Sequence, residues 1–362
     1  HLDVTDQLAT FGAGTNGLEA ERAVEAAGLT IGHWPQSIAL STVGGWVATR
    51  AAGQLSTAYG SIEDMVAGLE VVLPDGSVHR TRVTPRAAAG PDLRALVLGS
   101  EGTLGVVTEV TLALRRQAPA RAGRYWSFAD LDAGLEAVRR FVQSDWRPPV
   151  VRLYDARETA RHFGDDTERG RCGLILVHEG DPDVLALEVA AVGRICEDHG
   201  AVRGPDRVAE TWFAHRSDPP SALPYLEQGV IVDTIEVAAT WSRVGELYRR
   251  IVADVSAVDG VLAVTAHSSH SYRTGTNLYV SFGAVGDGPA GLRRVYERVW
   301  DATMHATLAV GGGISHHHGI GRVRRRWMGD ELGEAGAALL AAVKDAVDPD
   351  HLFNPGVLLP GE

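Results

Sequence analysis

From residue 128 to residue 308 the sequence switches repeatedly between helical and extended stretches, and that alternation limits what the chain can fold into. Phe128 to Val142, Asp183 to Gly200, Trp241 to Val255 and Leu292 to Leu308 read as helices. Val150 to Tyr154, Cys172 to His178, Gly229 to Ala238, Val261 to His267 and Leu278 to Phe282 read as strands. Helices set between strand pairs predict an α+β layer. The first 115 residues have a different texture, rich in glycine and valine. There Leu69, Val71 and Leu73 alternate, Pro74-Asp75-Gly76 supplies a turn, and Val78 to Thr81 can run back as a hairpin. Val106 to Leu114 is another β-branched strand. Leu18 to Ala27 reads as a helix capped by Asn16 and stopped at Gly28. Gln117 to Arg124, polar and containing proline and arginine, reads as a joint. The expected organisation is therefore 1–116, 117–308 and a closing segment 309–362. That segment holds a helix near Glu331 to Val347 and a Phe353-Asn354-Pro355-Gly356 turn.

Composition removes several function classes. At 362 residues and 45% hydrophobic content, the chain can build two domains with sizeable cores. A formal net charge of -12 argues against nucleic acid as a partner, because phosphate backbones require a basic field. Lys344 is the single lysine. Cys172 and Cys196 give no disulfide framework and fit a reducing, cytoplasmic compartment. No apolar run approaches the roughly 18 residues of a membrane span. The chain opens on His1 rather than methionine, which leads us to expect a longer protein.

Four motifs bear on chemistry. Ile314-Ser315-His316-His317-His318-Gly319-Ile320-Gly321 gathers side chains that titrate near neutral pH between glycines that admit close approach. Neighbours on an extended chain point to opposite faces, so three adjacent histidines are no facial metal set. We read the run as an active-site segment. The arginines that follow, Arg322 to Arg326, read as a solvated helix start. Gly12-Ala13-Gly14-Thr15-Asn16-Gly17 spells G-x-G-x-x-G. The acidic residue a dinucleotide fold needs about 20 positions on is missing, so it reads as a tight strand-to-helix turn. Ser41-Thr42-Val43-Gly44-Gly45-Trp46 and Gly99-Ser100-Glu101-Gly102-Thr103-Leu104-Gly105 each join hydroxyls to glycines. Such loops let backbone and short side-chain donors converge on a polar ligand.

Together and in this order, these two loops resemble the FAD-binding domain of the vanillyl-alcohol oxidase (p-cresol methylhydroxylase) superfamily. Pro35-Gln36-Ser37, Ala48 to Gly53, Tyr59-Gly60, Glu63-Asp64 and the Leu73-Pro74-Asp75-Gly76 turn extend the likeness. Within the superfamily the chain is most similar to the alkyldihydroxyacetonephosphate synthases. Ser315 to Arg322, Gly32-His33, Val151-Arg152-Leu153, Arg216, Glu236 to Trp241, Ser271-Tyr272 and Asn277-Leu278-Tyr279 carry that similarity. The resemblance implies a PCMH-type FAD-binding domain without its N-terminal subdomain, and an α+β cap built on an antiparallel sheet. It implies FAD contacts from Pro35, Ser37, Ser41, Thr42, Gly44, Gly45, Thr49, Ala51, Ala52, Glu101, Gly102, Thr103, Gly105, Val106 and Val107. It also implies exchange of the acyl group of acyl-dihydroxyacetone phosphate for a long-chain alcohol, through an adduct on flavin N5. Tyr279 and His318 would be the acid/base pair, His317 a tuning neighbour, and Arg152 and Arg216 the anchors for anionic groups. A base near neutral pH suits proton removal beside a carbonyl, and guanidinium forks suit phosphate.

The hydroxyacid-dehydrogenase branch of the superfamily usually carries Gly-Glu-His-Gly-Ile-Gly in the closing segment and Asn-Leu-His on the preceding strand. Several members hold a divalent metal there. Here His316-His317-His318 and Asn277-Leu278-Tyr279 lack the carboxylate and imidazole, so no metal is expected. His267 and His270 are two ligands, which do not make a site. Two alternatives stay open: an FAD-linked oxidase or dehydrogenase of a hydroxylated substrate, and a truncated, non-catalytic flavoprotein module. A small-molecule or lipid substrate is expected, with a homodimer and peripheral membrane contact left open.

Overall fold

The structure, a computed structural model, describes residues 1–164, 166–218 and 221–359. It forms two compact units, His1–Gln117 joined by the segment from His317 onward, and Ala118–His316.

The first unit is built on a five-stranded antiparallel sheet. In spatial order the strands are Leu2–Asp3, Leu8–Gly12, Val106–Ala113, Val66–Val72 and Val78–Arg80. The expected hairpin is present: Asp75 Oδ1 accepts from Ser77 N at 2.9 Å, and Gly76 takes a positive φ of 81°. Val43, Trp46, Val47, Ile62, Met65, Val110 and Leu112 are buried in its core. Helix Gly17–Glu25 begins where Asn16 Oδ1 accepts from Leu18 N at 3.0 Å. A Cβ on Gly17 would sit 2.2 Å from the Trp46 ring. The last glycine of the G-x-G-x-x-G turn thus makes room for an indole, and Trp46 Nε1 donates to Ser41 Oγ at 2.8 Å.

The second unit is a seven-stranded antiparallel sheet with helices. Its strand order is Val202–Arg203, Ala120–Phe128, Cys172–Gly180, Val150–Tyr154, Val261–Ser268, Gly275–Val285 and Val230–Thr240. Helices Leu131–Gln143, Pro182–Asp198, Trp241–Ser256 and Gly288–Ala309 lie where the sequence pattern places them. The joint expected over Gln117 to Arg124 is different. From Ala120 the chain is already a strand, paired residue for residue with Cys172–Gly180 and running through Phe128. Its first half, Ala120-Arg121-Ala122-Gly123-Arg124, has no period-2 apolar pattern of its own, so only pairing with the partner strand makes it extended. Leu153 faces helix Leu131–Gln143, so closely that a Cβ on Gly134 would lie 2.6 Å from Leu153 Cδ1. Side chains alternate along a strand, so Arg152 and Tyr154 occupy the other face of the sheet.

The closing segment is tied into the first unit by buried charge. Lys344, on helix Met328–Val347, is 1% exposed at its side chain, as is its ion-pair partner Asp348. Its Nζ also donates to Thr103 O at 2.9 Å and Phe353 O at 2.8 Å. The arginines before this helix are not simply solvated: Arg324 is buried and donates to Gly319 O at 2.7 Å, and Arg325 donates to Gly356 O at 2.9 Å. Backbone carbonyls with no helix to satisfy them recruit these guanidinium groups. Lys344→Ala strands the Asp348 carboxylate and should cost about 3–5 kcal/mol, read as a lower urea midpoint. Lys344→Met combined with Asp348→Leu should recover most of the loss. A Lys344→Ala midpoint equal to wild type would contradict the clamp.

Candidate functional site

In the first unit, a cavity of about 330 Å³ is lined by Ala13, Gly14, Thr42, Gly44, Gly45, Ala48, Ser100, Gly102, Gly105 and Val107. Three backbone pieces meet there: the Gly12–Gly17 turn, the start of helix Val43–Thr49, and the 99–105 loop. The wall is small because the backbones touch. A Cβ on Gly44 would lie 2.6 Å from Ala13 Cβ, and one on Gly105 would lie 2.6 Å from Val72 O. The donors at the helix start are engaged within the protein. Val43 N reaches Thr15 O at 3.0 Å, Gly44 N reaches Ala13 O at 2.8 Å, and Gly45 N reaches Thr42 Oγ1 at 3.2 Å. The expectation that this first loop turns its amides on a ligand is thereby corrected: the loop supplies shape. In the second loop Gly102, at φ 76°, lines the cavity, and its N–H has no acceptor among the described residues.

Other residues expected at the cofactor do not line this cavity. Ser41 Oγ donates to Ser37 O at 2.9 Å, and Thr49 Oγ1 donates to Gly45 O at 2.9 Å. Pro35 and Ala52 are buried, Ala51 is half-buried, and Val106 is exposed. The Glu101 carboxylate is engaged within the protein. Its carboxylate accepts from Ile320 N and, at 2.8 Å, from Gly321 N, so it holds the backbone just beyond His318. Thr103 binds Ser100 O through its hydroxyl and Lys344 through its carbonyl. The 99–105 loop therefore contributes cavity wall on one side and anchors the closing segment on the other.

In the second unit, strand register assembles a polar cluster. Tyr279 stands opposite Glu236 on one neighbour and His267 on the other, and His267 stands opposite Tyr154. Residues in direct register share a face, as do residues two apart on one strand, which adds Arg152 and Thr234. The contacts follow. Arg152 Nη2 is 2.6 Å from His267 Nε2, and Arg152 Nε donates to the Tyr154 hydroxyl at 2.9 Å. His267 Nδ1 is 3.1 Å from Glu158 Oε1, and its ring stacks on Tyr279 with centroids 4.9 Å apart. Thr234 Oγ1 donates to the Tyr279 hydroxyl at 3.1 Å. Burial pushes the Tyr279 phenol above its ordinary value, opposed by the Thr234 hydrogen bond and the Arg152 charge. Burial and the Arg152 charge push His267 down to about 4, so the ring is neutral at physiological pH. Burial alone would raise Glu158, yet His267, His162 and Arg161 hold it well below the usual carboxylate range. Among the described residues no carboxylate lies within ion-pair distance of Arg152.

Arg216 follows helix Arg207–His215, one turn beyond Trp212, whose ring lies 5.1 Å from the Arg152 guanidinium carbon. Its own guanidinium is 3.9 Å from the Phe213 ring centroid, and burial with the nearby Arg121 charge pushes it down to about 10. The three adjacent histidines are divided between the two units. His316 belongs to the second unit, where its Nε2 is 2.7 Å from the Tyr272 hydroxyl and its ring stacks on His270 at 4.9 Å. His317 and His318 belong to the first, with rings 4.4 Å apart and His318 exposed. Sequence reading missed Ala13, Gly14 and Ala48 at the cavity, and Glu158, Thr234 and Trp212 in the cluster. A strand register, had it been fixed first, would have placed His267 beside Tyr279.

Comparison with known proteins gives consistent matches. Residues 118–358 match the family described as FAD linked oxidases, C-terminal domain, and residues 1–82 match an FAD binding domain. The protein named Uncharacterized FAD-linked oxidoreductase YgcU of Escherichia coli (strain K12) is 35% identical over 100% of this chain and 77% of its own length. An alkyldihydroxyacetonephosphate synthase of Caenorhabditis elegans is 30% identical over 96% of this chain and 64% of its own length. A solved alkyldihydroxyacetonephosphate synthase structure overlays 98% of this chain with a TM-score of 0.78 at 24% identity, and the overlay covers 64% of that protein. The chain thus spans slightly under two thirds of the synthases it matches.

The small side chains of the cavity wall leave room for a group such as the FAD that the family models imply. A Cβ on Gly14 would meet nothing within 4 Å, so a side chain there would enter cavity space without disturbing the fold. Gly14→Val should leave the unfolding midpoint near wild type while weakening FAD binding by about 10-fold, on the order of one lost apolar and steric fit. Flavin fluorescence titration measures this. An unchanged affinity would remove this cavity from the cofactor site.

Proposed function

Because the chain belongs to the family of FAD-linked oxidases, we propose that it is an FAD-dependent enzyme of the alkyldihydroxyacetonephosphate synthase kind. It exchanges the acyl group of an acyl-dihydroxyacetone phosphate for a long-chain alcohol. The observation that carries this reading is Arg152, a positioned guanidinium with no carboxylate partner among the described residues. Such a charge suits a phosphate, which accepts two parallel N–H bonds from one guanidinium. The 30% identity to a protein named as that synthase supports the same substrate class.

FAD, when bound, supplies the electron-poor centre at which the substrate carbon is activated. The chain's own residues do the rest. Arg152 and Arg216 hold the phosphate. Tyr279, kept protonated by burial, donates a proton to the departing carboxylate oxygen. His318 takes the proton from the carbon beside the carbonyl, with His317 tuning it. One carbon–oxygen bond breaks and one forms: the entering alcohol gives its proton to the Tyr279 phenolate, and His318 returns its proton to the carbon, so no external electron acceptor is consumed. We assign 1–116 to FAD binding, 117–308 to the cap that holds substrate, and 309–362 to a closing segment that returns to the flavin.

Tyr279→Phe and His318→Ala should each lower transfer of labelled alcohol into product by roughly 10²-fold or more, with flavin content unchanged. Near-normal rates in both variants would remove this mechanism. The rival reading is oxidation of a hydroxylated substrate, favoured by the FAD-linked oxidoreductase that is 35% identical. It would show as product formation that requires an electron acceptor.

A further inference from the structure

We propose that His267 and Glu158 are a positioning pair that presents the Arg152 guanidinium to an anionic group of the substrate; this rests on the reading of Arg152 given above. Arginine has no acceptor atom, so in the 2.6 Å contact His267 Nε2 must accept from Arg152 Nη2. The ring proton is then on Nδ1, which donates to Glu158 Oε1 at 3.1 Å. One tautomer satisfies both neighbours. The tautomer is fixed further by burial, since His267 is 6% exposed and Glu158 is 1% exposed.

Glu158 is itself held in place. It opens helix Ala156–Phe163, where Asp155 Oδ1 accepts from Glu158 N at 2.7 Å. The other Asp155 oxygen accepts from Ala266 N at 2.7 Å, the residue before His267. Asp155 therefore fixes the helix start and the His267 strand together. Tyr154 and the Trp212 ring complete the setting of Arg152.

The interposed imidazole has a consequence for charge. A direct Arg152–Glu158 pair would neutralise the guanidinium and fill its fork. With a neutral ring between them, the carboxylate orients the arginine through a relay and leaves Nη1 without a protein acceptor among the described residues. The same ring stacks on Tyr279, so the pair also limits where the phenol can go. His267 and Glu158 touch no substrate in this account.

The test is calorimetric binding of dihydroxyacetone phosphate to the FAD-loaded protein. Arg152→Met should weaken binding by about 10-fold or more, the worth of a charged hydrogen bond. His267→Leu should approach the same loss, whereas His267→Gln should stay within about 3-fold of wild type, because its amide can accept from Arg152 and donate to Glu158. If Arg152→Met binds normally, the reading of Arg152 fails and takes this inference with it. If Arg152→Met is weakened but His267→Leu binds like wild type, the inference alone is overturned. Should His267→Leu fail to fold, ¹⁵N spectra of the wild-type imidazole decide: a proton on Nδ1 and a bare Nε2 support the pair, and a proton on Nε2 overturns it.

Discussion

Strand Gly275–Val285 is paired along its length with Val230–Thr240 and over most of it with Val261–Ser268, and the candidate chemistry depends on that register. A slip of one residue would exchange Tyr279 for Leu278 or Val280 on the polar face. The opposite face prevents it. Ile235, Val237, Ala266, Leu278, Val280, Leu153 and Val151 are all buried, so a slipped strand would drive Tyr279 into this apolar face and set an aliphatic group beside Arg152, His267 and Glu236. The apolar core thus fixes the positions of the polar side chains on the reverse of the same strands.

The first unit solves a different problem with similar means. Its cavity is shaped by glycines that bring main chains together, and the hydroxyls nearby satisfy the protein's own donors. The loop carrying Glu101 serves two purposes, since its glycines line the cavity while Glu101 and Thr103 hold the closing segment. The chain's single lysine is spent on that attachment, buried against Asp348. A charge placed so deeply must be matched by partners, and it has three.

Much of this was legible in the sequence because it is local. The helix from Trp241, most of the helix Gly288–Ala309 (read from Leu292), the Asp75-Gly76 hairpin and the Asn16 cap follow from spacing and turn chemistry. The glycine-hydroxyl loops and the Asn277-Leu278-Tyr279 strand carried the resemblance that points to FAD, in agreement with the family matches. What could not be read is non-local. Arg152 and His267 are separated by 115 residues, and Glu158 and His267 by 109. Their meeting requires the strand order, in which Val150–Tyr154 lies beside Val261–Ser268. Glu101 is expected at the cofactor from the loop it belongs to, whereas its carboxylate turns to the backbone of Ile320 and Gly321. The strand from Ala120 was hidden by arginine and glycine that only a partner strand makes sense of.

We propose that this flavoprotein makes a bond at a phosphate-bearing ketone without net oxidation. The most direct measurement is the visible absorbance of the FAD-loaded protein, followed anaerobically as an acyl-dihydroxyacetone phosphate and a long-chain alcohol are added. Turnover to an ether product is expected, with the flavin returning to its oxidised spectrum in the absence of any electron acceptor. Lasting bleaching to reduced flavin, reversed only when an acceptor is admitted, would contradict it.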